Sequence, residues 1–91
     1  MKCCSYTIGS IIDISDSMNE QYKFITIAKR PDDIYTHIKL VYSQNTIILN
    51  HEYNEMSIDD LKIGDTIVAF HSNAMTMSIP PQTEVFIIEV K

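Results

Sequence analysis

Two methionines at i and i+2, Met75 and Met77, stand a few residues beyond His71 and just before the diproline Pro80-Pro81. Thioether sulfurs and imidazole are soft donors that suit Cu(I) or Ag(I), and residues two apart in an extended segment project to the same side. One chemistry open to the segment His71-Ser-Asn-Ala-Met-Thr-Met-Ser-Ile-Pro-Pro-Gln-Thr83 is therefore soft-metal binding, of copper or silver, by Met75, Met77 and a histidine. The other is recognition without a cofactor, with His71, Met75, Met77, Ile79, Pro80 and Pro81 forming a ligand loop. A packing role competes with both. Methionines and an isoleucine on alternate positions can cap an open end of a fold, with the prolines holding the loop rigid and a cis bond open to either of them.

The remaining candidates are weaker. His51-Glu52 echoes a zinc-protease helix but lacks the second histidine and a long helix to carry it. Ser72 neighbours His71 in sequence, yet adjacent residues of a strand point to opposite faces, so the two do not make a nucleophile and base. Asp13, Asp16 and Glu20 match no calcium-loop spacing and read as a solvated acidic rim. Cys3-Cys4 has no second cysteine pair to complete a zinc site, and adjacent cysteines bridge each other only with strain. His37 alternates onto a solvent face. With no acid, base or nucleophile set converging, the chain reads as a non-enzymatic binding or interaction module.

Composition narrows the partners. The 91 residues are 45% hydrophobic and 21% charged, which suits one ordinary globular domain over residues 1–91. The formal net charge of −5 opposes phosphate backbones and anionic membrane surfaces, which leaves a protein, peptide or small ligand as the partner. Lys23, Lys29, Arg30 and Lys39 are the candidates for a local basic patch. The N-terminus Met-Lys-Cys-Cys-Ser-Tyr-Thr-Ile has no apolar leader and no run is long enough to span a membrane, so a cytoplasmic location with reduced cysteines is expected.

The elements that must position these residues are strands. Ile, Val, Tyr, Phe and Thr cluster in short runs bounded by Ser, Asp, Asn, Gly and Pro. Strands are expected over Ser5–Ile14, Tyr22–Lys29, Ile34–Tyr42, Thr66–His71 and Thr83–Val90. Thr46–Leu49 either continues the third or forms an extra ribbon. In the first, Ile8, Ile12 and Ile14 share a face, and Gly9 suggests a bulge or a sharp coil. In the third, Ile34, Ile38, Leu40 and Tyr42 point inward. Ser57-Ile-Asp-Asp-Leu61 reads as a helical turn, capped by Ser57 and stopped by Gly64. Five strands with that turn between the third and fourth describe an all-β, OB-like barrel, with an SH3-like barrel as the competitor. In an OB barrel the loops 15–21 and 72–82 would flank the usual ligand face.

Leu61-Lys-Ile-Gly-Asp-Thr-Ile, followed by the Met-Thr-Met-Ser-Ile-Pro-Pro-Gln run, resembles a group of small uncharacterised bacterial β-barrel domains. That group shares a pattern of the type L-K-x-G-D-x-V … S-x-x-M-T-x-S-x-P-P-Q-x. The likeness covers the C-terminal part of the chain and implies no activity. Met75-Thr-Met77 with Pro-Gln-Thr at 81–83 is also similar to the copper-site region of small periplasmic OB-fold copper/silver chaperones. Those bind Cu(I) through two methionines at i, i+2 and a histidine, under a tryptophan. This likeness implies Met75 and Met77 as thioether ligands and His71 as the imidazole. The chain departs from it in having no tryptophan, and in placing the Leu-Lys-x-Gly-Asp turn before the methionine pair rather than after it.

Overall fold

The computed structural model describes residues 5–16 and 22–91. Its strands are β1 (Ser5–Asp16), β2 (Lys23–Ala28), β3 (His37–Tyr42), β4 (Ile47–Leu49), β5 (Glu55–Met56), β6 (Thr66–His71) and β7 (Gln82–Val90). β1 is long enough to serve two neighbours. Its first half, Ser5–Ser10, runs antiparallel to β6, and its second half, Ser10–Asp16, runs antiparallel to β2. β3 follows β2 antiparallel and closes the barrel by parallel pairing with the start of β7, which lies antiparallel to β6. The result is a closed five-stranded barrel, in the order β1-β2-β3-β7-β6 and back to β1, with β4 and β5 added outside that circuit.

β4 meets both expectations for 46–49, since it also forms a short antiparallel ribbon with β5, Ile48 opposite Met56. It pairs parallel with Ile87–Glu89 of β7, downstream of the stretch that β3 occupies, so it extends the line of β3 along the same strand after a turn at 43–45. Thr46 makes that turn. Its hydroxyl accepts from Ser43 N and donates to Val85 O at 2.8 Å, satisfying both groups where the chain dips inside.

The core consists of aliphatic side chains on alternate strand positions: Ile11, Ile25, Ile27, Leu40, Ile67 and Ile88 are all buried. Each isoleucine so placed contributes about 1.5–3 kcal/mol relative to exposure. In β1 the faces differ from strict alternation. The register shifts between Ile11 and Asp13, and this bulge puts Ile11 inward with Ile14 packed on the core. Ile8, expected with Ile12 and Ile14, lies before the bulge and is 48% exposed. Ile34 is also displaced from its expected inward place. It opens a 3-10 turn (Ile34–Thr36) capped by the Asp33 carboxylate, which accepts from Tyr35 N, and it is exposed.

The helical turn expected at Ser57 is a 3-10 turn over Ile58–Asp60. Ser57 accepts from Asp59 N while Asp60 accepts from Ser57 N, a reciprocal cap. Gly64, at φ 101°, takes a left-handed conformation that a side chain would strain. Around this turn Leu61 joins the core, and Met56 and Ile58 pack against it. Among the described residues no helix is long and apolar enough to cross a membrane.

Candidate ligand-binding loop and groove

His71 ends β6, and the pleat turns its side chain into the barrel, where it is 1% exposed. Nδ1 lies 2.9 Å from the Ser72 carbonyl oxygen, which can only accept, so Nδ1 carries a proton. In the neutral ring Nε2 then accepts from the Thr7 hydroxyl at 2.8 Å. Both nitrogens are engaged, and the lone pair that a metal would need faces Thr7.

The segment 72–82 is tied to the barrel and to itself. Ser72 N donates to Glu84 O at 2.8 Å, continuing the line of β6 alongside β7. The buried Thr83 hydroxyl shares its proton between the carbonyls of Ser72 and Ala74. Ser5 donates from its hydroxyl to the Asn73 amide oxygen. Farther out, Thr76 N donates to Gln82 O at 3.0 Å and Gln82 N donates to Thr76 Oγ1 at 2.9 Å, closing the neck of the loop. Ser78 spans the tip, bonded to Thr76 Oγ1 at 2.6 Å and donating to Pro80 O at 3.0 Å. Pro81 O accepts from Lys39 N at 2.9 Å, and the Ile79–Pro80 bond is cis.

This self-bonded backbone turns its apolar side chains outward. Met77 is 100% exposed, Ile79 65% and Met75 41%. A cap would bury them, so the capping role expected for Met75, Met77 and Ile79 fails. The barrel interior beside β6 and β7 is filled instead by Ala69, Val85 and Ile88. The partly buried side chains packed against the core include Met56 and Ile58, and none comes from the 72–82 loop. Pro80 and Pro81 are half-buried at the base of the tip.

Met75 divides two depressions. One, of about 420 Å³, lies between the loop and β7 and is lined by Val41, Ala74, Thr76 and Glu84 among others. The second, of about 460 Å³, runs beside β1 and is lined by Thr7, Lys29, Arg30, His37, Met75 and Pro81 among others. Its walls are far apart in sequence and were not foreseen as a site; the signal was Lys29-Arg30, the densest basic pair of an acidic chain. Arg30 lies 3.4 Å from Asp33, both at the surface. His37 is not simply exposed: it is half-buried, with Nε2 donating to Pro31 O at 3.0 Å. Lys39 sits over the Phe24 ring, 5.3 Å from its centre.

The minor candidates stay separate. His51 lies at the surface, 3.5 Å from the Glu52 carboxylate. Ser72 Oγ accepts from Ala74 N and does not meet the His71 ring. Asp16 pairs with Lys23 at 3.4 Å, and Asp13 is exposed. Cys3, Cys4, Glu20 and most of the loop 15–21 lie outside the described residues. Among the described residues no group of three His, Cys, Asp or Glu side chains is gathered to hold a metal ion. Compared with family models, with curated proteins and with solved structures, the chain matches none.

Proposed function

We propose that this chain is a non-enzymatic binding module with an OB-like barrel as its scaffold and the 72–82 loop as its contact element. The observation that carries the proposal is the tip of that loop. Met77 and Ile79 stand in water on a backbone fixed by the Thr76–Gln82 and Ser78–Pro80 bonds. A backbone fixed in this way has little freedom left to lose on docking, which favours a recognition surface. Methionine adds a pliable surface that adapts to a partner. The circuit β1-β2-β3-β7-β6, with β3 and β7 parallel, supports the OB-like assignment. In that architecture the loop between the last two barrel strands flanks the usual ligand face. The bacterial grouping rests on the Leu61–Thr83 resemblance alone.

Replacing Met77 and Ile79 together by serine tests the proposal. Neither side chain supports the core, so unfolding stability is expected to stay within about 0.5 kcal/mol of the parent. Capture of a defined partner from native extract should be lost. Unchanged capture by the folded double variant would refute the loop as contact element.

A further inference from the structure

The groove beside β1 is a gap in strand pairing. β1 and β2 part at Ser10 and Ala28, where the β2 ladder ends. Beyond that point Ser5–Gly9 continue along β6 on one side only. Among the described residues no strand pairs with the other edge of Ser5–Gly9. The 460 Å³ depression opens beside this stretch, with Thr7 lining it from the β1 side and Lys29, Arg30 and His37 from the other. Ile38, Met75 and Pro81 supply apolar lining.

An unpaired strand edge offers main-chain donors and acceptors to another extended chain. The stretch Ser-Tyr-Thr-Ile-Gly carries no charge and no proline to deter one. The facing wall carries two cations, and the lining contains no carboxylate, within a chain of net charge −5. Arg30 is shared with Asp33, but Lys29 is exposed and has no ion-pair partner among the described residues.

We propose that this slot receives an extended acidic peptide segment, which adds as a strand to the free edge of β1 and sets its carboxylates against Lys29 and Arg30. The proposal deepens the binding-module reading and rests on it. Met75 and Pro81 place the base of the 72–82 loop in the wall of the slot, so a partner gripped by the loop tip can thread a strand beneath it.

The test uses the full chain and a fluorescein-labelled peptide of alternating valine and glutamate, followed by anisotropy at low salt. Saturable binding is expected, weakened about tenfold or more in the Lys29→Glu, Arg30→Glu double variant. Both residues lie exposed just beyond β2, so the variant should fold. In the parent protein, peptide should slow amide hydrogen exchange within Ser5–Gly9. Methylating alternate peptide nitrogens along one edge should abolish binding, and methylating those along the other edge should not. Equal binding of a valine–lysine peptide would overturn the proposal. So would indifference to the double variant, unchanged exchange at Ser5–Gly9, or tighter binding of an oligothymidylate of matched charge. Self-association that protects Ser5–Gly9 without peptide would assign the edge to a second copy and overturn it too. If the peptide fails while Met77 and Ile79 still govern partner capture, the slot falls and the loop reading stands.

Discussion

Thr7 and His71 join the first strand to the end of β6, with the Thr7 hydroxyl 2.8 Å from His71 Nε2. Thr7 also lines the slot, while His71 is buried in the barrel. With Nδ1 held by Ser72 O, the imidazole is a strut: it fixes where β6 ends and where the 72–82 loop departs.

Replacing Thr7 by valine keeps the shape and removes the donor. The acceptor nitrogen of a buried ring then loses its partner, which costs about 1–3 kcal/mol. A fall of that size in denaturant stability, together with altered exchange at Ser72–Ala74, is expected. Stability unchanged within error would show that the ring finds another partner and that the strut assignment is wrong.

Soft-metal binding through Met75, Met77 and His71 conflicts with the same strut. Binding at the imidazole would require breaking the Thr7 bond and turning a buried side chain outward. Titration with Ag(I) is therefore expected to leave the His71 ring resonances in place at one equivalent. Concerted movement of the His71 ring and the Met75 and Met77 methyl signals would restore a copper-type site.

Gly9 has a steric reason that bears on the slot. A Cβ built there would lie 3.0 Å from the Ala28 carbonyl oxygen, a backbone atom with little room to give. Gly9→Ala should push β1 and β2 apart at the point where their pairing ends, costing about 1–3 kcal/mol. Thermal unfolding of the variant measures this, and an unchanged midpoint would mean that the two strands separate freely there.

Much of the barrel was legible in the chain. The runs that became β2, β6 and β7 carry enough β-branched residues between turn signals to set their limits closely, and Ser57 announced its turn by its cap. The failures have physical causes. Gly9 suggests a bulge or a sharp coil, but the register slips between Ile11 and Asp13, and a slip of one residue exchanges the faces of everything before it. Hence Ile8 fell outside and Ile11 inside. Ile34 looked like a strand residue until the Asp33 cap drew it into a turn. β5, only Glu55–Met56, is too short to show a period. For the loop, Met75, Met77 and Ile79 would read alike whether turned in or out, because direction depends on where β6 and β7 close. The slot was beyond reach, since its walls meet only when β1 outruns β2.

Photo-crosslinking from the tip of the 72–82 loop shows whether that tip meets a partner. A benzophenone side chain at Met77, and another at the exposed Glu52 as control, would be irradiated in native extract. One discrete adduct is expected from position 77 that is absent from position 52 and is suppressed by unlabelled parent protein. No adduct from position 77, or the same pattern from both positions, would contradict it.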